Sequence, residues 1–136
     1  MANDKSLLAQ ADTSLPQLNY AVELEQLAAS VGFDWPNIDG IIHKIHEEID
    51  EVKAEIDIPN NQARLLDEMG DLLFACTNLA RHLNIDPEEA LKAGNQKFYR
   101  RFSQLEQIVK EQNKEFTQLS LDELDALWEE VKKDEK

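Results

Sequence analysis

The chain has 136 residues, enough for one domain with a sizeable core and too few for two ordinary ones. Its formal net charge is −14, which argues against nucleic-acid phosphates and anionic membrane surfaces as partners. Four glycines and four prolines against 42% hydrophobic residues suit long helices with few turns, and no signal peptide or spanning apolar run is visible, so a cytoplasmic protein is expected.

Residues 1–16 show weak periodicity and end in Ser14-Leu15-Pro16, which reads as a flexible tail or linker remnant ahead of one domain over 17–136. A first helix is expected over 17–31, stopped by Gly32 and followed by a Phe33-Asp34-Trp35-Pro36 loop. A second covers 38–57, where Ile38, Ile41, Ile42, Ile45, Ile49, Val52 and Ile56 recur at threes and fours. Pro59-Asn60 breaks it, and a third runs over 61–83 with Leu65, Met69, Leu72, Cys76 and Leu79 on its stripe. The short break predicts an antiparallel hairpin. Cys76, the only cysteine, is expected to be a buried thiol. Asp86-Pro87-Glu88-Glu89 is a helix start, and the fourth helix carries Leu91, Phe98, Phe102, Leu105 and Val109 on one face to about Asn113. A capping box, Ser120-Leu121-Asp122-Glu123, opens a fifth helix bearing Leu121, Leu124, Leu127, Trp128 and Val131.

The chemistry concentrates on the hairpin. Glu48-x-x-Glu51 and Glu68-x-x-Asp71 each aim two carboxylates at nearly one point, since residues three apart are neighbours on a helix. Glu48 and Glu68 lie about 80–85° from their stripe centres, and Glu51 and Asp71 about 140–145°, in the same rotational sense. Equal offsets place all four on one side of an antiparallel pair. The midpoint of 51 and 68 is also that of 48 and 71, so Glu51 is expected level with Glu68 and Glu48 level with Asp71. Such a cluster repels itself unless a hard cation joins it, and oxygen-only ligands suit Mg²⁺, Mn²⁺ or Ca²⁺. His43, His46 and His82 read as surface or structural. Lys97 and Arg101 share one flank of the fourth helix, with Asn95 inside its apolar face as a buried amide in need of partners. Trp128 and Lys132 share one side of the fifth.

Taken together, Phe33-Asp34-Trp35-Pro36, Lys44-x-x-Glu47-Glu48-x-x-Glu51-Val52, Asp67-Glu68-Met69-Gly70-Asp71-Leu72-Leu73-Phe74 and Lys97-Phe98-x-x-Arg101-Phe102 resemble the MazG nucleoside triphosphate pyrophosphohydrolases, over about residues 15–132. The closest likeness is to the C-terminal half of two-domain members. The resemblance implies an all-α helical bundle with the hairpin at its centre, completed by dimerisation. It implies Mg²⁺-dependent hydrolysis (Mn²⁺ substituting) of NTP or dNTP to monophosphate and pyrophosphate, with broad base range. Metal binding and catalysis fall to Glu48, Glu51, Glu68 and Asp71. Substrate contacts fall to Lys97, Arg101, Asn95, Trp128 and Lys132, with Lys44 and Trp35 beside them. Glu51 is the first choice to activate water and Glu48 the second. Rival readings are a dUTPase-like or phosphoribosyl-ATP pyrophosphatase activity, or a non-catalytic acidic helical module.

Overall fold

A computed structural model describes residues 6–135. Among them the architecture is all-helical: α1 Gln17–Ala29, α2 Ile38–Ile56, α3 Gln62–His82, α4 Pro87–Glu111 and α5 Leu121–Asp134, with 3-10 turns at Leu7–Gln10 and Phe116–Gln118. The chain divides into two compact units, one reaching to Ala90 and one starting at Leu91.

Local chemistry sets the helix ends. Asn37 caps α2 by accepting from the Gly40 N–H at 3.4 Å. Asp86 caps α4, its Oδ1 accepting from Glu88 N at 2.9 Å while Asn19 Nδ2 donates to the same oxygen at 2.8 Å. The Ser120–Glu123 box closes reciprocally, at 3.1 Å and 2.9 Å. Left-handed residues end the helices: Gly32 (φ 93°) after α1, and Asn60, Asn84 and Asn113 (φ 56°, 59° and 58°) after α2, α3 and α4. Gly32 is the one most resistant to replacement, because its φ strains any L side chain.

In the first unit, α3 packs against both α2 and α1. Glu55 meets Arg64 at 3.1 Å near the α2–α3 turn, and Glu48 meets Asp71 farther from it, so the two helices run in opposite senses. Ile41 on α2 is buried, as are Ala75 and Thr77 on α3. The 3-10 turn at Leu7–Gln10 packs against α1. Ala11 is buried, and the Asp12 N–H donates to Glu23 Oε1 on α1 at 2.7 Å. Residues 1–5 of the expected tail lie outside the described residues, as does Lys136.

In the second unit, Leu105, Val109 and Val131 form a buried core against which Ile108, Phe116, Leu119, Leu124, Leu127 and Trp128 pack. An aromatic row runs beside it, with ring centroids 5.9 Å apart for Phe98–Phe102, 5.4 Å for Phe102–Phe116 and 5.6 Å for Phe98–Trp128.

Two burial expectations need correction. Cys76 is exposed, and Asn95 lies in a fully exposed stretch of α4. Both residues lie on the apolar faces expected from periodicity. Those faces are not covered by the described residues of the chain: Leu66, Met69 and Leu73 on α3 and Leu91 and Phe98 on α4 are exposed too.

Gly40 makes a close approach. A Cβ there would lie 2.8 Å from Trp35 Cε3, so the indole lies hard against the first turn of α2. Overpacking of this kind costs about 1–3 kcal/mol, against a gain of about 1 kcal/mol from replacing a helical glycine with alanine. Gly40→Ala should therefore lower stability by about 1 kcal/mol and red-shift the Trp35 emission as the ring is driven outward. Denaturation midpoints and fluorescence spectra check both, and an unchanged spectrum would mean the contact is absent.

Candidate active site

α2 and α3 bring Glu48, Glu68 and Asp71 together, each offering one oxygen within 4.8 Å of the others. Glu48 is 6% exposed, and its Oε2 is buried with no hydrogen-bond partner among the described residues. Its other oxygen takes Lys44 Nζ at 3.0 Å, which raises the lysine pKa. Glu68 is pushed above the usual carboxyl range by desolvation first, then by the charges of Glu51, Asp71 and Glu48. Asp71 is also raised, by desolvation and then by Asp67 and Glu48. Glu51 is exposed and stands outside the three-oxygen group, although its charge acts on Glu68.

This donor set fits a hard divalent ion. A buried carboxylate oxygen without a partner is costly. Desolvation first, then repulsion from neighbouring acids, raises Glu68 and Asp71, as happens where acids gather with too little counter-charge. Only oxygen donors are offered, which favours Mg²⁺ or Mn²⁺ over softer metals.

A cleft of about 310 Å³ opens from this group, lined by Trp35, Ile41, Lys44, Glu48, Asp71, Phe74, Ala75 and Asn78. A second cleft of about 570 Å³ shares Trp35, Phe74 and Asn78 with it and continues past Phe33, Asp34, Arg81 and Glu25. Asp34 anchors the loop before α2. Its Oδ1 accepts from the Trp35 N–H at 2.8 Å and from Arg81, and meets His82 Nε2 at 2.9 Å. The Arg81 guanidinium is the main cause holding Asp34 down to about 2. His82 is thus a structural partner of Asp34, while His43 faces solvent beside Glu47 at 3.8 Å.

The other residues expected near substrate belong to the second unit. Arg101 Nε donates to Glu135 Oε1 at 2.8 Å, and Arg100 pairs with the same carboxylate. Lys132 pairs with Glu129 at 3.2 Å. Lys97 is exposed, and Trp128 is half-buried against Phe98. Asn95 borders a cleft of about 450 Å³ with Phe98, Tyr99 and Phe102.

Sequence reasoning missed Glu25, Asn78 and Arg81. A signal for Glu25 was present: it sits three and seven residues after Val22 and Leu18, on the apolar stripe of α1.

No helix among the described residues is long and apolar enough to cross a membrane. Comparison with known proteins agrees with the motifs. Residues 37–105 match the MazG nucleotide pyrophosphohydrolase domain. The chain is 44% identical over 131 residues to a nucleoside triphosphate pyrophosphohydrolase of Escherichia coli K12, covering 96% of this chain and 50% of that protein. It is 36% identical over 127 residues to the nucleoside triphosphate pyrophosphohydrolase/pyrophosphatase MazG of Thermotoga maritima, covering 93% and 48%. An uncharacterized Bacillus subtilis protein, YabN, is 49% identical over 69 residues, covering 51% of this chain and 14% of its own. The chain spans about half the length of the E. coli and T. maritima relatives. Motifs, helical order and matched residues agree, and the chain belongs to the MazG nucleotide pyrophosphohydrolase family.

Proposed function

We propose that the chain hydrolyses nucleoside triphosphates, ribo- or deoxyribo-, to the monophosphate and pyrophosphate in a Mg²⁺-dependent reaction. The observation that carries the reading is the convergence of Glu48, Glu68 and Asp71 from two helices, with a buried Glu48 oxygen left without a partner. The names of the E. coli and T. maritima relatives support the substrate class.

In this reading Glu48, Glu68 and Asp71 hold the ion, and Glu51 joins them or works beside them. Bound Mg²⁺ supplies Lewis acidity toward the phosphate oxygens. Glu51, exposed and outside the three-carboxylate group, orients a water toward the α-phosphorus and takes its proton as the new P–O bond forms and the α–β bridging bond breaks. Lys44 fixes Glu48 through their 3.0 Å pair, which keeps one oxygen committed to the helix and the other free to ligate. Lys97, Arg101, Asn95, Trp128 and Lys132 are assigned to the nucleotide through the family resemblance, with Trp35 on the cleft beside the acids. Assembly as a homodimer is part of the proposal. It is supported by the exposed Ile42, Ile49, Met69 and Leu73, an apolar set that a second copy would cover.

The test is pyrophosphate release from each NTP and dNTP, with Mg²⁺ and with chelator. Release that requires the ion, together with a rise in melting temperature on adding Mg²⁺ alone, is the expected result. A protein that releases no pyrophosphate and is indifferent to Mg²⁺ would be an acidic interaction module instead.

A further inference from the structure

The buried core of the second unit ends in a charged layer. Leu105 on α4 and Val131 on α5 are both buried. Arg101 precedes Leu105 by four residues and Glu135 follows Val131 by four, so each lies one helical turn beyond the core on the same face. There Arg101 Nε donates to Glu135 Oε1 at 2.8 Å. Arg100 forks onto the same carboxylate, Nε to Oε2 at 2.8 Å and Nη2 to Oε1 at 3.2 Å. The side chains of Arg101 and Glu135 are only 23% and 13% exposed, so their bond is better shielded than an ordinary surface ion pair.

Two features set this trio apart. The first is the edge by which Arg101 is held. A guanidinium carries five N–H donors in one rigid plane, and Glu135 takes the one on Nε. No other acceptor among the described residues bonds Arg101, so its Nη1–Nη2 edge keeps two parallel N–H groups, the geometry that grips a phosphate. The second is charge. Lys44 and Lys132 each face one carboxylate, at 3.0 Å and 3.2 Å, and are neutralised pair by pair. Arg100 and Arg101 share one, which leaves the trio net positive in a chain of formal charge −14. The carboxylate stays ionised, its pKa lowered by the hydrogen bond from Arg100 first and then by that from Arg101.

We propose that Glu135 is a positioning residue for the substrate, holding Arg101 by Nε so that the opposite edge of the guanidinium meets the triphosphate, and that Arg100 keeps this anion site positive without touching the ligand. The proposal deepens the pyrophosphohydrolase reading and rests on it for the role of Arg101. Without Arg100, the charge of Glu135 would cancel that of Arg101 and leave an oriented but neutral fork. Without Glu135, Arg101 would be charged but free to turn through its rotamers, and the phosphate would have to order it on binding.

Steady-state pyrophosphate release from ATP with Mg²⁺, beside calorimetric titration of inorganic tripolyphosphate with Mg²⁺, tests the assignment in the full chain. Glu135→Ala should raise KM about tenfold with kcat within about twofold, because Arg101 holds phosphate alike before and during reaction. Glu135→Gln keeps an oxygen for Arg101 Nε and should raise KM about threefold or less. Arg100→Ala should raise KM about fivefold, and Arg100→Lys, which keeps the charge and loses the fork, about twofold or less. Tripolyphosphate dissociation constants should follow the same order. A merely structural ion pair predicts otherwise: Glu135→Gln and Arg100→Lys both break the Arg100 fork and would fail as fully as the alanine variants. That result would overturn the proposal. So would a Glu135→Ala protein with KM at or below that of the wild type, in which Glu135 would be a competitor of the phosphates, and so would a wild type that does not bind tripolyphosphate. The expected tripolyphosphate order in a protein that releases no pyrophosphate would count against the hydrolytic reading alone.

Discussion

Asp71→Asn and Glu48→Gln are each expected to lower Mg²⁺-dependent pyrophosphate release by at least about 10²-fold, the loss that follows when several kcal/mol of charge stabilisation is withdrawn. The fold should survive. Asp71 and Glu68 are raised because their ionised forms are desolvated and crowded by like charge. Carboxyls raised in this way bind protons more tightly in the native state than in the unfolded one. Their ionisation therefore costs stability as pH climbs above the unfolded values. An amide at position 71 removes part of that cost. The ion-free variant should melt at or above the wild-type temperature, and the rise produced by Mg²⁺ should vanish. Glu48→Gln differs in one respect, because it also leaves Lys44 without the carboxylate at 3.0 Å. Parallel melting curves and pyrophosphate assays decide the matter. A variant that is inactive because it is unfolded, or active with its Mg²⁺ response intact, would remove these residues from the site.

Glu25 should dominate the pH dependence of stability. Burial lifts its pKa from 4.5 to about 7, against smaller lowering effects of Thr77 and Arg81. The native state therefore holds a proton that the unfolded chain has already released between those values. Stability from this group is fully present below pH 4.5 and is lost as pH rises to 7, by on the order of 3 kcal/mol in total. Asp34, held near 2 by Arg81, stays ionised throughout and contributes no change in that window. Glu25→Gln should flatten the profile, leaving the variant more stable than wild type at pH 8 and similar at pH 4.5. Denaturant unfolding at the two pH values measures the difference. Parallel profiles for the two proteins would show that Glu25 ionises normally.

The sequence read well where one helix or one hairpin decides the outcome. The caps at Asp86 and Ser120 need only local spacing, and both are present. The grouping of Glu48 with Asp71 and Glu68 followed from helical phase and the midpoint at Pro59-Asn60. Phase and the same midpoint placed Glu51 with them, yet its oxygens fall outside the group that Glu48, Glu68 and Asp71 form. Burial was less legible. An apolar stripe tells which face of α3 carries Cys76, but not whether the same chain covers that face. The Glu25–Thr77–Arg81–Asp34 network joins α1, the following loop and α3, and no periodicity within one segment encodes a meeting of three.

The short connection between α2 and α3 has a kinetic consequence. Contacts close in sequence form early and at small entropic loss, so this pair assembles among the first events of folding. The acids then face one another before the remaining helices have docked. Repulsion among these acids is therefore met within the pair itself, and it is what raises Glu68 and Asp71 beyond the effect of desolvation.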